Sequence, residues 1–93
     1  MAKQLLQQFP TSVTLHNICG AANAGLGQFG AAIDSFKHSL KIKPEFAEAY
    51  YNIGNAQKGK GELDSAIESY KQALKIKPDL FAAYKNMGKS FQD

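Results

Sequence analysis

The stretch GLGQFG, Gly25 to Gly30, has the G-x-G-x-x-G spacing with which dinucleotide-binding folds bring the backbone against a pyrophosphate. Glu45 follows about where a ribose-binding acid belongs. Other groups that could do chemistry are few. His16 and His38 stand 22 positions apart, which is not a metal-ligand spacing, so no metal is expected. Cys19 falls in an apolar slot equivalent to Ile53 and Met87, where a buried, inert thiol is the expectation. Asp34 and Glu68, like Glu45 and Asp79, correspond at a spacing of 34 residues, which makes them surface acids on separate units instead of a general acid/base dyad.

That spacing of 34 is the organising feature. When residues 13–46 are laid over residues 47–80, thirteen positions are identical, among them Gly20/Gly54, Gly25/Gly59, Gly27/Gly61, Ala32/Ala66, Leu40/Leu74 and the run from Lys41/Lys75 to Pro44/Pro78. A third copy begins at residue 81 and matches at Ala83, Tyr84, Asn86 and Gly88; residues 1–12 read as the end of a preceding copy. In this register Gly30 aligns with Asp64, and VTLHNICGAANA lies opposite AEAYYNIGNAQK, a helix former. The apparent fingerprint is therefore a turn between helices, with glycine supplying positive φ where the first helix ends. No cofactor and no catalytic activity are expected.

Each unit reads as a helix hairpin. In the second unit Tyr50, Ile53, Gly54 and Gln57 share one face of a helix over about 46 to 59. Leu63, Ala66, Ile67, Tyr70, Ala73 and Leu74 share a face of another over about 63 to 76. Pro78 ends that second helix and turns the chain into the next hairpin. Small residues at Gly20, Ala32, Gly54 and Ala66 let the paired helices approach. A lone hairpin leaves one face uncovered, so successive hairpins stack. The expected fold is all-α: one domain over residues 1–93, built of antiparallel helix hairpins stacked as a right-handed solenoid.

Composition narrows the function. The formal charge of +3 arises from 11 lysines and no arginine against 8 carboxylates, with the lysines interspersed among acids, which counts against nucleic acid and against an RNA-binding helical repeat. One cysteine excludes an internal disulfide and suits a reducing compartment; no run approaches a membrane span, so a cytoplasmic chain is expected.

Tyr50, Ile53, Gly54, Ala66, Tyr70, Ala73 and Pro78 resemble the 34-residue pattern of the tetratricopeptide repeat family. In the first unit Gly20, Ala32, Phe36 and Pro44 hold it, while His16, Cys19 and Ser39 depart from it. The second unit is also similar to the repeats of O-linked N-acetylglucosamine transferases and of bacterial proteins with such arrays. The resemblance implies a non-catalytic scaffold whose first helices line a concave groove for an extended peptide or partner segment. The inward positions that it implies include Asn17, Tyr51, Asn52, Asn55, Lys58, Lys85, Asn86 and Lys89.

Asn52 and Asn86, 34 apart, match an asparagine ladder that holds a peptide backbone, with Ile18 in the corresponding place of the first unit. Lys58, Lys85 and Lys89 with Asn55 and Asn86 match part of a carboxylate clamp of chaperone-binding repeats, with Tyr51 where that clamp has lysine. The ends carry a further expectation. Tyr84, Met87 and Phe91 at one end and Leu5, Leu6 and Phe9 at the other lack a covering helix in this chain, so self-association or helix exchange is the alternative function and a homo-oligomer the alternative partner.

Overall fold

A computed structural model describes residues 13–92, with side chains through Gly88. Leu5, Leu6, Phe9 and the side chains of Lys89 and Phe91 lie outside the described residues. Five helices follow in order: α1 (Val13–Gly25), α2 (Phe29–Ile42), α3 (Ala47–Gly59), α4 (Leu63–Ile76) and α5 (Phe81–Gln92). Among the described residues there is no strand, and no helix is long and apolar enough to cross a membrane. The fold is a helical repeat solenoid.

The two intra-hairpin turns are made alike. Gly27 and Gly61 adopt φ of 79° and 86°. The N–H of Gly27 donates to Ala24 O and that of Gln28 to Asn23 O; Gly61 and Glu62 repeat this with Lys58 O and Gln57 O. This pairing of the last helical carbonyls around a left-handed residue is the Schellman arrangement, and a side chain with a Cβ resists that φ. Of each glycine pair, the second carries the turn.

The links between hairpins rest on proline. Lys43 and Lys77, each before a proline, leave the helical region, at φ −132°, ψ 88° and φ −131°, ψ 86°, as proline disfavours helical backbone in the residue before it. The N–H of Phe46 then donates to Lys43 O and that of Leu80 to Lys77 O, closing a four-residue turn with Pro44 or Pro78 at its second position.

Glycine also sets the distance between paired helices. A Cβ on Gly20 would sit 2.6 Å from the Phe36 ring, and a Cβ on Gly54 2.6 Å from the Tyr70 ring. Two buried clusters bridge successive units. Ala32, Ile33 and Phe36 of α2 pack with Ile53 and Ala56 of α3. Ala66 and Tyr70 of α4 pack with Ala83 of α5, and Tyr51 and Met87 close over them. Met87 is therefore covered by α4, as its register mate Ile53 is by α2, and does not belong to the open stripe expected at this end. Phe81 takes its place there, 75% exposed beside Tyr84 at 49%.

Candidate functional site: the inner helical face

The first helices of the units define one face. α1 meets α3 and α3 meets α5, whereas among the described residues α2 and α4 do not approach one another. Contact on one side and separation on the other curve the stack toward α1, α3 and α5.

A polar cluster bridges α3 and α5 on this face. The Asn86 Nδ2 donates to the Tyr51 hydroxyl at 3.0 Å and to Asn55 Oδ1 at 2.9 Å. The same Asn55 oxygen accepts from the Tyr70 hydroxyl at 2.6 Å. Tyr70 is fully buried, its ring 6.0 Å from that of Tyr51. Burial pushes the Tyr70 phenol up to about 12, the neighbouring Tyr51 adds to the rise, and the Asn86 amide opposes it.

The expected inner-face residues whose side chains are described each have a definite place. Tyr51, Asn55 and Asn86 come together in the cluster. Asn52 is half-buried, and among the described residues its carboxamide has no partner. Lys58 is half-buried and Lys85 exposed, and neither forms an ion pair among the described residues. Lys89 lies on α5, with its side chain outside the described residues. Asn17 is engaged elsewhere: its Oδ1 accepts from the buried Ser39 hydroxyl of α2 at 3.0 Å, which ties α1 to its own hairpin partner. Glu48, at the start of α3, pairs with Lys77 at 3.4 Å. Ile18, the register mate of Asn52, is 51% exposed.

Two hydroxyls that organise this region, Tyr70 and Ser39, were not among the expected site residues. Their signal was the register itself: Tyr70 replaces Phe36, and Ser39 replaces Ala73, at otherwise matched core positions. The structure also joins His16 and His38, whose rings stack at 5.2 Å across the first hairpin. No group of three metal-ligating side chains occurs among the described residues. Cys19 is buried, as its apolar slot requires. A depression of about 220 Å³ on α2, lined by Asp34, Lys37, His38 and Lys41, is formed by four exposed residues of one helix.

Comparison with known proteins fits the architecture. The sequence matches the tetratricopeptide repeat profile over residues 47–80 and a second profile of the same repeat over residues 20–61. The chain belongs to the tetratricopeptide repeat family. As a tetratricopeptide repeat protein it superposes on a crystal structure of MamA with a TM-score of 0.92 and 32% identity, covering 98% of this chain and 53% of that one. The chain thus spans about half the length of the MamA structures it matches. The first tetratricopeptide repeat domain of Spaghetti (RPAP3), bound to the HSP90 peptide SRMEEVD, matches with a TM-score of 0.91 and 21% identity over 98% of this chain and 72% of that one. An O-GlcNAc transferase of Thermobaculum terrenum matches with a TM-score of 0.89 and 24% identity over 96% of this chain and 17% of that one. At those last two identities the likeness is one of fold. No curated protein matches the sequence.

Proposed function

We propose that this chain is a non-catalytic protein-interaction scaffold whose inner face, formed by α1, α3 and α5, binds an extended peptide segment. The observation that carries the reading is the donor-rich floor between α3 and α5. The Asn55 oxygen already accepts two hydrogen bonds, so its amide hydrogens are what it has left to offer. Lys58 and Lys85 stand by without an ion pair among the described residues, and the carboxylate of Glu48, at the other end of α3 from Lys58, is turned to Lys77. Such a surface suits a partner that brings carbonyl and carboxylate oxygens. The RPAP3 domain, which holds a peptide containing adjacent glutamates, supports the capacity of this fold for such a ligand.

A displayed-peptide selection against the whole chain tests the reading. Enrichment of acidic peptides, with capture weakening as salt rises, is the expected result. No enrichment above a scrambled library would overturn it.

A second reading rests on the end of the stack. Phe81 and Tyr84 are exposed side by side, and Gly88, the register mate of Gly20 and Gly54, meets no side chain among the described residues. Self-association through this face of α5 would raise the mass seen by light scattering with concentration. A constant monomer mass would remove this second reading and leave the first untouched.

A further inference from the structure

The contact of a ring on a glycine, which sets both hairpins, has a third place made ready for it. Phe36 covers Gly20 and Tyr70 covers Gly54, each ring 2.6 Å from where a Cβ would stand. Gly88 repeats the glycine 34 residues further on, and among the described residues no ring from another helix covers it. The exposed residues beside it are aromatic. Phe81 is 75% and Tyr84 49% exposed, whereas their register mates Ala47 and Tyr50 are buried and half-buried. Ala83 and Met87 turn to α4 and Asn86 turns to α3, so this stripe occupies a separate side of α5.

Phe81, Tyr84, Gly88 and Phe91 are spaced by three, four and three residues, the period of a helix-packing seam. That spacing reads the same from either end. Let a second α5 run antiparallel to the first with the midpoints of the two stripes superposed. Tyr84 of each copy then meets Gly88 of the other, and Phe81 falls opposite the position of Phe91. Glycine lets two helices come close and a ring fills the room, as α1 meets α2 and α3 meets α4 in the hairpins. An unrelated helix has to match this order by chance, but a second copy matches it by symmetry.

We propose that the aromatic stripe of α5 is the contact of a closed antiparallel pair of this chain, in which the second copy's α5 takes the place that α2 and α4 take in the hairpins. The proposal rests on the self-association reading and deepens it, since it names the partner, the orientation and the residues that meet. Each copy uses the same patch, so the assembly stops at two. The contact also has a charge signature. Between Phe81 and Gln92 α5 carries Lys85 and Lys89 and no acid, so two such helices repel. Salt screens that repulsion and leaves the rings in place, which strengthens the pair where it weakens capture of acidic peptides.

Light scattering on the whole chain, from micromolar to millimolar concentration, should show the mass rising from one chain to a plateau at two. High salt should bring the plateau to lower concentration. Gly88→Leu fills the room that the incoming ring needs at a position open in the single copy. It should raise the concentration of half-association by about tenfold or more without lowering the melting temperature of the dilute chain. Tyr84→Gly, which removes the ring, should weaken association to a similar degree. Tyr84→Gly/Gly88→Tyr exchanges ring and glycine and restores the antiparallel match, so association should return to within about threefold of the unmodified chain. Circular dichroism checks that each variant keeps its helices.

A mass that climbs past two chains, an association that Gly88→Leu leaves unmoved, or a double exchange that stays monomeric would overturn the closed pair and leave self-association standing. Association that weakens with salt would mark a contact carried by charge and overturn the pair as well. A constant monomer mass would remove the pair and the self-association reading together, with peptide capture by the inner face unaffected.

Discussion

In the α1–α2 hairpin the Phe36 ring lies on Gly20 and the Ser39 hydroxyl ties back to Asn17. In the α3–α4 hairpin the Tyr70 ring lies on Gly54 in the same way, but its hydroxyl binds Asn55, and through it the cluster reaches Asn86 of the next unit. The steric frame is thus repeated and the polar tie is not. One hairpin is closed on itself, while the other is linked forward. The difference shows that repeat periodicity constrains backbone spacing tightly, because a ring on a glycine tolerates no substitute. It constrains the direction of hydrogen bonds loosely, because any short polar chain within reach will serve.

The largest test of that frame is Gly54→Leu, which drives a side chain into the Tyr70 ring and should destabilise the fold by about 3 kcal/mol or more, read by urea denaturation. Gly88→Ala breaks the comparison in the other direction. Beyond its own helix backbone and chain neighbours, nothing among the described residues lies within 4 Å of its Cβ position, so it should be neutral or stabilise α5 by about 0.5–1 kcal/mol.

The next effect separates the two rings. The Tyr70 phenol titrates at about 12 in the fold against 10.0 unfolded, so the folded form holds its proton more tightly. Its contribution is complete below pH 10 and declines as pH rises toward 12, by about 2–3 kcal/mol in all. Tyr70→Phe, which makes the second hairpin like the first, should flatten the alkaline stability profile measured over that window. An unchanged slope would mean that other groups dominate it.

A smaller loss, about 1–2 kcal/mol, is expected for Gly61→Ala and equally for Gly27→Ala, since both impose a Cβ on a left-handed residue. Unequal melting losses would show that the two turns differ in what they carry. The smallest effect belongs to the exposed pair Glu48 and Lys77. Lys77→Gln should cost at most about 1 kcal/mol and nothing measurable at high salt.

The sequence made the scaffold legible because register and sterics coincide in it. Gly20 and Gly54 stand opposite aromatics at a fixed distance along the chain, and Pro44 and Pro78 end helices wherever they occur. The inner face was legible in its membership and less so in its wiring. Tyr51 and Asn55 belong to one unit and Asn86 to the next, so the bonds among them cross 35 and 31 residues and follow from the angle between hairpins, which a period of 34 does not encode. The engagement of Asn17 was hidden for a related reason. Its partner Ser39 sits where the other unit has Ala73, and a serine in a small-residue slot reads as a volume, not as a donor.

The curvature toward α1, α3 and α5 has a metric consequence. Packed helices lie about 8–10 Å apart, so a chain crossing their axes advances roughly three residues from one first helix to the next. Three is odd, and a β-strand of that stride turns alternate edges to successive helices. A polyproline II segment, with three residues per turn and about 3.1 Å of rise, turns the same edge to each. For the peptide proposed for this face, a spacing of that size would favour the threefold screw over a strand, whatever its side chains.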